Sequence, residues 1–195
     1  MTRMAKKYEF QPDKPHSNWQ SKLQLTPLQR KAILKWCLYG LVLLVLSLIQ
    51  DVILCRFRFW GVTTELFPCA IFLITLLEGS QRGSIFALVA SALYLFTGAS
   101  PGSYAMVAIT VIAIIVTIFR QAYLQKNFVA VFLCVAVCMA IYEMVVYGFS
   151  LFLSLVRPMQ VLDFLIIAGL SLIAVPLLYP IFQAISRIGG EQWKE

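Results

Sequence analysis

Long unbroken apolar runs, separated by short polar breaks, dominate the chain from residue 32 onward. A helix crossing about 30 Å of hydrocarbon needs about 20 residues, with about 17 to 25 tolerated. On that measure six spans are predicted: Ala32 to Leu54, Val62 to Leu77, Gly83 to Ala99, Ser103 to Phe119, Asn127 to Val156 and Val161 to Ile185. They hold 128 of the 195 residues, which leaves no room for a separate soluble domain. The expected organisation is a tail over 1–31, a six-helix transmembrane domain over 32–187 and a short tail over 188–195. The predicted fold class is an all-α integral membrane protein.

Each break has a physical cause. Arg56, Arg58, Phe59 and Trp60 form a charged, aromatic interface belt, and Gly61 turns the chain back. Glu78-Gly79-Ser80-Gln81-Arg82-Gly83 is a polar turn, and Gly98-Ala99-Ser100-Pro101-Gly102 breaks the chain without any charge. Arg120 to Lys126 separates the fourth and fifth spans, and Arg157-Pro158 ends the fifth. The second and third spans are short enough to admit a re-entrant pair as the alternative. Pro176 and Pro180 each remove a backbone donor and are expected to kink or end the sixth span.

Composition agrees with this pattern. Apolar residues make up 61% of the chain and charged residues 13%, with a mean hydropathy of +0.84, against about 45 to 50% and about 25% in soluble domains. A nucleic-acid-binding domain, a secreted disulfide scaffold and a disordered chain are all argued against. The N-terminus lacks signal-peptide anatomy, so the first apolar run is expected to stay in the mature protein. The net charge of +7 is uneven: seven basic residues precede the first span, opposed there by Glu9 and Asp13. Such a tail is drawn to anionic lipid headgroups. With the N-terminus inside, thirteen Lys and Arg fall on the cytoplasmic side and three (Arg56, Arg58, Arg157) on the other. The positive-inside rule therefore predicts that both termini are cytoplasmic.

Candidate chemistry is sparse. The single histidine, His16, lies in the polar tail, and no nucleophile–base set, metal cluster or phosphate-binding glycine loop can be assembled. Neither an enzyme nor a cofactor is expected. Cys37, Cys55, Cys69, Cys134 and Cys138 read as small core residues. Four carboxylates fall in or near the spans, and an intramembrane acid is a functional-site candidate by default. Asp51 reads as a hydrated interfacial acid. Glu65, between Thr64 and Pro68, suits a helix start where the macrodipole favours an anion, and Asp163 is read the same way. Glu143 lies about 24 Å from the cytoplasmic end of its helix by a rise of about 1.5 Å per residue, flanked by Tyr142 and Tyr147. Three roles stay open for it: a structural hydrogen bond, a partner contact, or proton or solute coupling. Gly83, Ala87 and Ser91 recur every four positions, and with Ala105, Ala108 and Ala113 they mark close helix packing.

In order along the chain stand a basic tail, Gly61-Val62-Thr63-Thr64-Glu65-Leu66 leading into the second helix, and the turn Glu78-Gly79-Ser80-Gln81-Arg82-Gly83. A small-residue-rich third helix, Tyr142-Glu143 in the fifth and Pro176-Leu177-Leu178-Tyr179 near the end follow. Over about Ala32 to Arg187 this order resembles the rod shape-determining protein MreD family of bacteria. Where such chains often carry an aspartate near the end of the third helix, this one has Tyr94-Leu95-Phe96. The resemblance implies a non-enzymatic inner-membrane component of the cell-elongation complex, associated with MreC, MreB filaments, the RodA glycosyltransferase and a class B penicillin-binding protein. Glu65, Gly79, Gly83, Tyr142, Glu143 and Pro176 carry over as motif positions for bundle shape and partner contact.

The alternative is the small-solute binding subunit of an energy-coupling-factor vitamin transporter, also a compact six-helix bundle. Against it, the first span has no Ala-x-x-x-Ala pair, and few convergent polar groups are expected in the membrane.

Overall fold

The computed structural model describes residues 27–54, 56, 62–79, 81–98, 100–123 and 127–188. Most of the basic tail, with His16, lies outside the described residues, as do Cys55, the Arg58-to-Gly61 belt, Ser80, Ala99, Lys126 and Lys194. The described chain is helical: α1 (Pro27–Ile49) runs into a π-helical turn (Gln50–Leu54), followed by α2 (Leu66–Glu78), α3 (Gln81–Phe96), α4 (Ser103–Tyr123) and α5 (Phe128–Phe152). A 3-10 turn (Pro158–Gln160) then leads into α6 (Val161–Leu172) and α7 (Val175–Ser186).

Three helices, within Gln29–Leu54, Ser103–Arg120 and Phe128–Phe152, are long and apolar enough to cross a membrane, and the bent α6–α7 pair makes a fourth if it is one span. These are the helices of a membrane protein. Their outer faces agree: Leu41, Leu44, Ile85, Val107, Ile118, Val129, Leu133, Ile173 and Leu177 are all exposed, a surface that hydrocarbon covers and water does not.

The spans expected at Val62 to Leu77 and Gly83 to Ala99 are shorter as helices. α2 has 13 residues and α3 has 16, both under the length that spans a bilayer alone. α2 starts at Leu66 rather than Val62 because Glu65 holds non-helical dihedrals (φ −105°, ψ 88°). Pro68 then occupies the third helical position, where its missing N–H is one the helix could not have paired. The span expected at Val161 to Ile185 is two helices bent by 50°. Pro176 explains the break, since it offers no N–H to the Leu172 carbonyl and its ring would clash there. Pro180, expected to kink or end the helix, sits inside α7 without ending it.

α2 is the centre of the bundle. Every residue from Phe67 to Glu78 is buried, and the helix touches each of the six others. A helix that is apolar on all sides belongs in such a position. α3 packs against it, and the predicted small residues Gly83, Ala87 and Ser91 are buried, as is Ala90. A Cβ on Gly83 would stand 3.4 Å from the Thr75 carbonyl oxygen of α2. α4 packs against α3 and buries Ala105, Ala108 and Ala113. Two hydroxyl pairs tie them, Ser84 Oγ to Thr117 Oγ1 at 3.0 Å and Ser91 Oγ with Thr110 Oγ1 at 3.1 Å.

This packing sets an expectation for substitutions on α3. Ala87→Leu, at a fully buried position, is expected to cost about 1–3 kcal/mol by overpacking. Gly83→Ala, which meets only ordinary contacts, is expected to change stability by less than about 1 kcal/mol. Equilibrium unfolding in detergent micelles checks both.

Candidate functional site

A buried helix has free N–H groups at one end and free carbonyls at the other, and in an apolar interior its neighbours must satisfy them. Both ends of α2 show how. At the start, the Phe67 N–H donates to Gln50 Oε1 at 3.0 Å and the Glu65 N–H donates to Ser171 Oγ at 3.0 Å. The π-helical turn after α1 places Gln50 inward, and Ser171 comes from the last turn of α6. At the finish, the Arg120 Nη2 donates to the Leu77 carbonyl at 3.0 Å, and Gly79 N–H closes on the Thr75 carbonyl at 2.9 Å. Gly79 is left-handed (φ +52°), and the Arg120 guanidinium fills the space that a Cβ there would need.

Each end also carries a carboxylate. Glu65 Oε2 accepts hydrogen bonds from Tyr142 Oη of α5 at 3.2 Å and from Tyr94 Oη of α3 at 3.4 Å. The rings are held in place as well: Tyr94 stacks on Phe67 with centroids 4.9 Å apart, and Tyr142 meets Phe72 edge-on. At the other end Glu78 is buried and pairs with Lys35 Nζ at 2.6 Å while accepting from Tyr39 Oη at 2.7 Å. Lys35 Nζ also donates to the Ser186 carbonyl at 3.0 Å, so α1 ties the finishes of α2 and α7 together. Lys35, Arg82, Arg120 and Arg187 thus gather at one end of the bundle.

The predicted residues divide into groups. Glu65 and Tyr142 are brought together, and Glu143, one residue further on α5, lies within charge-interaction range of Glu65. Gly79 and Gly83 stand at the opposite end of α2. Pro176 lies at the α6–α7 break, five residues beyond Ser171. Asp51 is exposed and apart from the others, accepting from Ser47 Oγ at 3.5 Å. Tyr147, expected beside Glu143, bonds the Pro158 carbonyl instead.

Glu65 stands at the start of α2, the place expected of it, and makes no side-chain capping bond; its carboxylate accepts from the two tyrosine hydroxyls instead. Of the three roles open for Glu143, a structural hydrogen bond is not formed: the side chain is fully buried and neither carboxyl oxygen has a hydrogen-bond partner among the described residues. Sequence reasoning also missed groups. Glu78 was expected in a solvated turn, and Gln50, Tyr39 and Ser171 carried no expectation. The four-residue spacing of Lys35 and Tyr39, which puts two polar heads on one helix face, was the available signal.

No protein-family model, curated protein or solved structure matches this chain. Fold and network together define a helical membrane protein whose polar groups cluster at the two ends of one central helix.

The two clusters differ in what breaking them does. Tyr142→Phe removes one donor to Glu65 and is expected to cost about 1 kcal/mol. Lys35→Met leaves Glu78 as a buried charge without its cation and is expected to cost about 3–5 kcal/mol, part of which the added Glu78→Gln restores. Unfolding of the single and double variants in micelles measures both.

Proposed function

We propose that this chain is a non-enzymatic scaffold of the bacterial inner membrane, a component of the cell-elongation complex that links MreB and MreC to lateral peptidoglycan synthesis. Six spans, with α2 and α3 as the short second and third, would place both termini in the cytoplasm. The observation that carries the reading is the ordered resemblance to the MreD family along the helices. The bundle supports it in kind. Apolar residues cover its outer faces, and its connections are too short for a substrate domain. Lys35, Arg82, Arg120 and Arg187 lie at one end, as the positive-inside rule asks of a cytoplasmic face.

One observation favours the second reading, a small-solute binding subunit of an energy-coupling-factor transporter. Few convergent polar groups were expected in the membrane, yet Gln50, Glu65, Tyr94 and Ser171 converge at the start of α2, with Tyr142 and Glu143 from α5. Polar groups converging in a largely apolar setting are what a ligand pocket presents.

Depletion separates the two. Under the scaffold reading, cells lose rod shape and round up while vitamin uptake is unchanged, and an MreC-like partner co-purifies with the tagged chain. Rods of normal width with impaired uptake of one vitamin establish the transporter reading instead. A cytoplasm-active reporter fused after Glu195 is expected to be active, and a silent one overturns the topology.

A further inference from the structure

α5 carries Glu143 into the bundle with no exposed surface and no hydrogen-bond partner for either carboxyl oxygen among the described residues. An ionised carboxylate in that position is costly unless something neutralises or coordinates it. The titratable groups that face it are Glu65 at the lead-in to α2, Tyr94 of α3 and Tyr142 of its own helix. None of these is a cation. The buried cations Lys35 and Arg120 are engaged at the other end of α2, about 18 Å away at a rise of about 1.5 Å per residue.

A third buried oxygen, Thr64 Oγ1, one residue before Glu65 in the chain, also has no hydrogen-bond partner among the described residues. The two carboxyl groups are also unequal. Glu65 accepts two tyrosine hydroxyls and stands at the start of α2, where the helix dipole favours negative charge. Glu143 has no such support. Two like charges within interaction range in an apolar interior are costly together, so the described residues leave the pair short of one positive charge.

We propose that Glu65 and Glu143, with Thr64 Oγ1, form an intramembrane binding site for one small monovalent cation, either a proton carried on Glu143 or a sodium ion held between the two carboxyl groups. In the first case one O–H bond forms on a Glu143 oxygen as one O–H bond of a hydronium ion in the surrounding water breaks, leaving a neutral water molecule. In the second, hard carboxylate and hydroxyl oxygens replace part of the ion's hydration shell. Glu65 is only partly buried, which leaves the site a way in from outside the core. The proposal holds under either reading of the protein's function.

Dicyclohexylcarbodiimide adds to protonated carboxyl groups in apolar surroundings, and mass spectrometry of the digested full chain locates the adduct. With the purified protein in lipid nanodiscs, Glu143 is expected to be labelled, with labelling falling several-fold as pH rises from mildly acid to mildly alkaline. Sodium chloride is compared with choline chloride at constant pH and ionic strength. Suppression by sodium, or a sodium-dependent rise in melting temperature that Glu143→Gln abolishes, assigns the site to the metal ion. Dependence on pH alone assigns it to the proton. A Glu143 adduct insensitive to both pH and sodium identifies a permanently neutral structural acid and overturns the proposal. So does the absence of any adduct together with a melting temperature indifferent to sodium. The adduct is located in the unmutated chain, so the proton arm stands even if Glu143→Gln folds poorly, and Thr64→Val serves as the second variant for the sodium arm.

Discussion

The constraint on which the bundle depends is that α2, buried on every side, must end inside protein. Its 13 residues rise about 20 Å, some 10 Å less than the hydrocarbon thickness of about 30 Å. Water is therefore not at hand for both ends, and a free backbone group in hydrocarbon costs several kcal/mol. The neighbours supply what water would: Gln50 and Ser171 at the start, Arg120 at the finish. Three different helical segments are recruited to one helix in this way, which is why it can touch all the others and still be the shortest of the expected spans.

The same need explains the placing of the carboxylates. Glu65 and Glu78 stand at opposite ends of α2, and each accepts from a tyrosine on another helix. Tyrosine suits the task because its ring packs in an apolar layer while its hydroxyl reaches a buried acceptor. The ends differ in charge. Glu78 has Lys35 at 2.6 Å, whereas Glu65 has hydroxyls alone and a second acid, Glu143, within range of its charge. One end is an ion pair that ties α1, α2 and α7 together, and the other is a polar pocket that carries a net negative charge when both acids are ionised.

How much of this the sequence made legible follows from the kind of signal each feature leaves. Apolar run length located the helical segments, with α6 and α7 read as one span, and the small residues Gly83 and Ala87 are buried as their four-residue spacing implied. The break before Pro176 was legible because proline acts on its own preceding turn. Partners distant along the chain were not. Glu78 reads as a loop residue beside Gly79 and Arg82, and nothing local says that Lys35, 43 positions earlier, will bury it. Gln50 carries no signal of its own until the π-helical turn places it inward, a shift of register that no hydrophobic periodicity announces. The Tyr94-Leu95-Phe96 segment, which departs from the MreD pattern, supplies a hydroxyl to Glu65.

That departure bears on how the pocket keeps its balance. An aspartate in place of Tyr94 would set a third acid beside Glu65 and Glu143, with no cation facing them among the described residues. A tyrosine there contributes a donor instead, so this end of α2 carries two acids rather than three, and one of those two is already stabilised by hydroxyls and by the helix dipole. What is left is a deficit of a single positive charge. The size of that deficit, together with the three oxygens of Glu143 and Thr64 that have no hydrogen-bond partner among the described residues, is what makes a small monovalent cation a better fit to this cluster than a polyvalent metal or a structural hydrogen bond.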